Sequence, residues 1–289
     1  MPPSLGKVLA RLMRKLHTVL LAAALALTVQ ATARAVTFTA TLGSIKITAR
    51  PGQVLTREFR LTLDADQPKT RFNSHMQDWW RNEDGTQSFY RDPGTLAHSC
   101  GRWVTLNPVE VDVQPGGTLI TRLTVTVSPE ARSGGYWCVL TVDELPDPLA
   151  TSEGVGIRFM ASVSIGVFVS VGAQQRAAEI TAVEILNDAA VVRVRNLGST
   201  PLAIEGRFEF IKPGDTEPTA VVTMARNTLL TEPIVTGAFS TQLPDAASLP
   251  SGRYLVRAII DYGVDHYIGT QREMVVVRGA GVLALAKDK

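Results

Sequence analysis

Few side chains in this sequence could do chemistry. Beyond position 35 it holds three histidines, His75, His98 and His266, and two cysteines, Cys100 and Cys138. His98-Ser99-Cys100 sets an imidazole beside a thiol, and His75 would add a third metal ligand. The spacing fits no zinc pattern, and thiols in an exported chain are drawn into disulfides. A loop histidine is the better reading, and no metal is expected. Asp78, Glu83, Asp84 and Asp92 could gather into an acidic cluster, but turn chemistry accounts for all four. There is no G-x-S-x-G elbow, no H-E-x-x-H pair and no Walker loop, and Gly154-Val155-Gly156 is too short for a dinucleotide fingerprint. With no nucleophile–base pair and no metal set, neither an enzyme nor a cofactor is expected.

The start of the chain explains why cysteine chemistry matters. Lys7, Arg11, Arg14 and Lys15 precede an apolar run from Val19 to Val29, and Ala33-Arg34-Ala35 is a small-x-small site. That pattern reads as a secretory signal peptide over residues 1–35, cleaved after Ala35. The alternative, an uncleaved anchor, needs ~20 apolar residues to cross a bilayer. No later stretch reaches that length without polar interruption, so no membrane span is expected after cleavage. The leader carries five basic residues and no acids, so its loss turns the printed charge of +2 into −3. No basic run remains to suggest nucleic acid. An exported chain with one pair of cysteines suggests a Cys100–Cys138 disulfide, the alternative being two buried free thiols. Such a bridge would add roughly 3–4 kcal/mol by loop entropy.

The elements that must carry these residues read as strands. Val155 to Val171 puts Val155, Ile157, Phe159, Ala161, Val163, Ile165, Val167, Val169 and Val171 on one side, all apolar, with Arg158 and three serines among the residues opposite. Period two makes this a long β-strand with one greasy face. That face has two readings: it packs into its own sandwich, or part of it is offered to another chain. Before it come Val54–Leu63, with Val54, Phe59, Leu61 and Leu63 assigned mostly to one side, and Arg71–Arg81. Asn82-Glu83-Asp84-Gly85 turns the chain into Gln87–Tyr90, and Leu119–Val127 and Tyr136–Val142 follow. After a polar linker at Ala173–Arg176, seven short strands follow between residues 180 and 277. Ser133-Gly134-Gly135-Tyr136 and Ser251-Gly252-Arg253-Tyr254 form a weak repeat 118 residues apart. The expected fold is all-β: two immunoglobulin-like β-sandwiches in tandem, over 36–172 and 173–278, with a tail at 279–289.

Tyr136 stands two residues before Cys138, a position often held by tyrosine before the second cysteine of immunoglobulin domains. Trp79, Trp80, Trp103 and Trp137 are candidates to pack on the bridge. The order of the Pro51-Gly52 turn, the Trp79–Tyr90 hairpin, Ser99-Cys100-Gly101-Arg102-Trp103, Pro115-Gly116-Gly117, Ser133-Gly134-Gly135-Tyr136 and Val155–Val171 resembles the PapD-like periplasmic pilus (fimbrial) chaperones. That resemblance implies a non-enzymatic periplasmic protein that binds a pilin-like or other exported subunit by β-strand addition. Val155, Ile157, Phe159, Val163, Ile165, Val167 and Val169 would then face the client. Those chaperones also hold the subunit's C-terminal carboxylate with an Arg and a Lys in the interdomain cleft. Here no lysine lies between Lys69 and Lys212, and Arg158 points away from the apolar face, so that pair is not assigned. The alternative function is a secreted or cell-surface structural or adhesion protein with two such domains.

Overall fold

The computed structural model describes residues 36–40, 43–90, 92–146, 160–186 and 188–277. The leader, the tail from 279 and the first part of the long apolar run, including Val155, Ile157 and Phe159, lie outside the described residues. In chain order the first series of strands is β1 (Phe38–Ala40), β2 (Ser44–Ala49), β3 (Val54–Leu63), β4 (Thr70–Arg81), β5 (Gln87–Tyr90), β6 (Val104–Asn107), β7 (Glu110–Val113), β8 (Thr118–Thr126), β9 (Gly134–Leu145) and β10 (Ser162–Val171). The second is β11 (Ala178–Leu186), β12 (Ala189–Asn196), β13 (Leu202–Ile211), β14 (Ala220–Leu229), β15 (Thr236–Gln242), β16 (Gly252–Asp261) and β17 (Ile268–Val276). A single 3-10 turn, Gly101–Trp103, is the one helical element among the described residues.

Each series folds into two facing sheets. In the first, β1-β3-β8-β6 faces β2-β10-β9-β4-β5, with β7 pairing β4. In the second, β11-β12-β15 faces β14-β13-β16-β17. This is the expected all-β architecture of two immunoglobulin-like sandwiches.

Alternation explains the cores. Phe59, Leu61 and Leu63 of β3 and Leu119, Leu123 and Val125 of β8 point inward, against Ile45 and Ile47 of β2, Leu140 of β9 and Ile165, Val167 and Val169 of β10. Fully burying a side chain of this kind stabilises by about 1.5–3 kcal/mol. The second core is built likewise around Val192, Ile204, Phe208, Phe210, Val256 and Ile260. Val54 departs from its expected side: its even position puts it opposite Phe59, and it is exposed.

The run Phe38–Ala49 does something alternation does not reveal. It divides between the two sheets of the first sandwich. β1 pairs antiparallel with β3, and β2 crosses to pair parallel with β10.

Two tyrosines give the weak repeat a physical basis. The Tyr136 hydroxyl donates to the Arg132 carbonyl at 3.2 Å and accepts from the Arg132 N–H at 3.0 Å. Tyr254 donates to the Pro250 carbonyl at 3.0 Å, again four residues upstream. Each sandwich therefore pins the loop before a central strand with the same tyrosine corner.

Candidate functional site

The long apolar strand splits into two parts by what flanks it. On one side β9 pairs with β10 over its whole length, from Ser162↔Asp143 to Val171↔Gly134. On the other side β2 pairs only from Gly166↔Ser44 to Val171↔Ala49. Along Ser162–Ile165 that second edge has no partner strand among the described residues. Where both sides are paired the odd face is sealed: Val167, Val169 and Val171 are 0–1% exposed. Ile165 is also in the core, whereas Val163 is only partly buried at its border. The client-facing expectation is corrected for Ile165, Val167 and Val169, whose side chains already fill their own sandwich. Of the described residues in that set, Val163 alone stays within reach of another chain.

The opposite face of this sheet is polar near the open edge. Ser162 donates to the Asp143 carboxylate at 2.6 Å, and Thr141 donates to Gln77 at 2.9 Å while lying 3.0 Å from Ser164. His75 Nδ1 lies 3.6 Å from the same Asp143 carboxylate. Together with Asn73 and Phe89 these residues line a shallow hollow of about 520 Å³. Ser164 and Phe89 also line a larger hollow of about 810 Å³ where the two sandwiches meet.

A buried carboxylate shapes the loop above this junction. Asp78 is fully buried and accepts hydrogen bonds from the backbone N–H groups of Gly94, Thr95 and Leu96 at 2.6–3.1 Å. The Ser99 hydroxyl donates to it as well. This ties the loop of residues 92–100 to β4 and presents Cys100 to β9. Cys100 and Cys138 form the disulfide, with Cα atoms 5.3 Å apart. Trp103 is the tryptophan that packs into the core holding the bridge, with its ring centroid 4.4 Å from that of Tyr136. The loop also sets His98 flat on Trp137, ring centroids 5.8 Å apart and planes within 3°. Burial there pushes the His98 imidazole below its ordinary value. The two histidines considered for a metal therefore serve different places, and both cysteines are spent on the bridge. Among the described residues no group of three His, Cys, Asp or Glu side chains is placed to hold a metal ion.

The sandwiches meet through an apolar cluster. Trp79, Trp137 and Val139 of the first close on Leu230 of the second, with Trp80 and Phe168 at the border. The Trp137 indole donates to the Trp79 carbonyl at 2.9 Å. Backbone bonds cross at two further points, Gly135 N–H to the Ser199 carbonyl at 2.7 Å and Ala238 N–H to the Glu83 carbonyl at 2.8 Å. His98 touches Glu232 in the same region.

Beside this contact opens the larger hollow. Its walls include Lys46 from β2, Arg81 from the end of β4, Arg176 from the connection between the sandwiches and Arg226 from β14, and no Asp or Glu. Arg81 donates to the Gly85 carbonyl, but its Nε is buried without a partner. Desolvation pushes its guanidinium below the ordinary arginine value. Sequence reasoning missed these four because it looked for a lysine on the long strand itself. They come from β2, β4, the connection and the second sandwich, scattered over 180 residues of sequence. Only the register of β2 on β10 and the closure of the second sandwich bring them together.

No protein-family model matches this sequence, and no curated protein matches it either. Among solved structures, the chain is similar to the class 5 fimbriae chaperone CfaA, at 13% identity and a TM-score of 0.47, over 82% of this chain and 99% of that one. It is similar to the E. coli chaperone DraB at 13% identity and 0.42, over 84% and 97%. A third is a Salmonella enterica SafA pilin in complex with the SafB chaperone, at 9% identity and 0.44, over 82% and 96%. The two-sandwich architecture stands on the strand order itself. No helix among the described residues is long and apolar enough to cross a membrane.

Proposed function

We propose that this protein is an exported, periplasmic chaperone-like protein that binds a partly folded secreted subunit by adding one of the subunit's strands to the open edge of β10. The observation that carries the reading is that β2 begins only at Ser44, opposite Gly166. Among the described residues, Ser162–Ile165 have no strand partner on that side, over roughly 13 Å of strand at ~3.3 Å per residue. An unpaired edge beside a half-buried apolar side chain is a template for another chain, which proteins cover unless it is used. A client strand lying there occupies the line that β2 would have continued. Running parallel to β10, as β2 does, it would bring its C-terminal end toward Ser44 and the cationic hollow. Lys46, two residues beyond Ser44 on the same face of β2, then offers the charge that a terminal carboxylate needs. Val155, Ile157 and Phe159 extend the same alternating face upstream in the sequence. The domain limits that serve this reading are 36–172 and 173–278.

The test separates edge from core. Val163→Thr is expected to lower capture of a strand peptide by at least severalfold while costing under ~1 kcal/mol of stability. Ile165→Thr, in the core, is expected to cost about 2–3 kcal/mol. Peptide binding is read by fluorescence anisotropy and stability by urea titration. If Val163→Thr leaves capture unchanged, strand addition at this edge is excluded, and the alternative of a structural or adhesive protein takes its place.

A further inference from the structure

β1 and β2 follow one another on the chain but belong to facing sheets, and their inward residues are out of step. In β1 the even positions Phe38 and Ala40 pack on the core, opposite Leu63 and Leu61 of β3. The Phe38 ring meets that of Phe72 edge-on, centroids 6.1 Å apart. In β2 the odd positions Ile45, Ile47 and Ala49 are the buried ones. Between Ala40 and Ile45 the alternation therefore slips by half a period.

That slip matters at the open edge of β10. The parallel register sets Ser44 beside Gly166, Lys46 beside Phe168 and Thr48 beside Ser170. Continued upstream, it would set Ala40 beside Ser162 and Phe38 beside Met160. Both β10 positions face away from the core: Ser162 donates to Asp143 on the polar outer face, and Met160 is exposed. Phe38 would leave Phe72 for the solvent side, and Thr39 would take the inward place beside Ala161. A one-residue change of register flips every side chain of a strand to the other face. β1 is also the strand tethered nearest to this edge, with only residues 41–43 between it and β2. A tethered strand competes at an effective concentration on the order of millimolar. In the right phase, β1 would occupy the edge ahead of a guest in solution.

We propose that the offset between β1 and β2 is a phase lock: it denies the chain's own first strand the edge of β10 and so keeps that edge open for a guest. The proposal rests on the strand-addition reading and adds to it what holds the edge open. Gly43 is the place to test it, since a Cβ there would meet nothing within 4 Å. Removing this one residue brings Phe38 and Ala40 into step with Ile45 and Ile47. It also shortens the crossing between sheets, which pack ~10 Å apart. The four steps from Ala40 to Ser44 reach about 14 Å at most, and three would reach about 11 Å.

A short peptide of alternating valine and threonine is titrated by fluorescence anisotropy against three chains without the leader. One is unaltered, one lacks Gly43, and one carries two extra glycines after Gly43, which lengthens the crossing and keeps the offset. The unaltered and lengthened chains are expected to bind alike, and the chain lacking Gly43 at least tenfold more weakly. Circular dichroism checks that the fold is kept. Should the deletion unfold the chain, a single extra glycine after Gly43 makes the same change of phase without shortening the crossing, and weaker binding is again expected. Paired cysteines locate β1 directly. Thr39→Cys with Thr62→Cys, opposite one another in the β1–β3 pair, should cross-link in the unaltered chain. In the chain lacking Gly43, Thr39→Cys should cross-link to Ser162→Cys instead. Equal binding by all chains, equal loss in the deleted and lengthened chains, or a Thr39–Thr62 cross-link that persists without Gly43 overturns the phase lock and leaves strand addition standing. If the unaltered chain binds no peptide, strand addition itself fails, and the lock falls with it.

Discussion

At the scale of the residue, the most consequential side chain is one that sequence reasoning set aside. Asp78 belongs to a group of four acids that turn chemistry explains well enough on paper. Asp84 conforms: it accepts from the Thr86 N–H and hydroxyl at 2.9 and 2.6 Å, which holds its carboxyl below the usual range. Asp78 does not, because the loop of residues 92–100 folds over it and supplies four donors. Its strand position reveals which face it points to, but not that a distant loop will close on it. Asp78→Ala strands the Thr95 and Leu96 N–H groups, Gly94 keeping the Ser99 hydroxyl, and is expected to cost about 2–4 kcal/mol in urea unfolding. The loop that carries Cys100 and His98 should become the first to lose amide-exchange protection. The Cys100–Cys138 bridge, by contrast, was legible, since one pair of cysteines in an exported chain has few other uses.

At the scale of the element, alternation carried most of the information. It placed β3, β4, β8, β9 and all seven strands of the second sandwich close to where they lie. It could not tell which sheet a strand joins, so the passage of Phe38–Ala49 from one sheet to the other was invisible. It also could not decide between core and client for the long strand. That choice depends on where β2 begins, which is a matter of pairing and not of pattern. The glycines of Ser133-Gly134-Gly135-Tyr136 read as half of a weak repeat, and they do more. A Cβ on Gly135 would meet Pro201 Cδ and the Thr200 hydroxyl at 2.5 Å, so this strand start must be bare for the second sandwich to approach. Gly135→Ala is therefore expected to swing the sandwiches apart while leaving each folded. Small-angle scattering should show a larger radius of gyration with little change in circular dichroism.

At the scale of the whole molecule, the two sandwiches form one surface. Trp79, Trp137, Val139 and Leu230 make an apolar contact, and backbone bonds at Gly135 and Ala238 fix its rotation. The cationic cleft exists only in this arrangement, because Arg226 and Lys46 come from different sandwiches. Leu230→Ala is expected to remove about 2–3 kcal/mol from the contact. Calorimetry should then resolve two unfolding transitions, where the unaltered chain should show closely coupled ones. A single sharp transition in the variant would mean that the sandwiches are joined by something other than this cluster. Such long-range closure is what a sequence conceals most completely, since Leu230 and Trp137 lie 93 positions apart with no shared motif.

The late start of β2 has one further consequence. Ser44 opposite Gly166 is a wall as well as a gap. Under the proposed strand addition, a guest on the β10 edge would halt there, because its place beyond that point is already taken. Guests would thus be measured from their tails, like rods pushed against a stop. Whatever their sequences, the residue beside Ile165 would sit at a fixed count from the end. Adding one residue to a guest's terminus would turn its greasy side outward, whereas adding two would restore it.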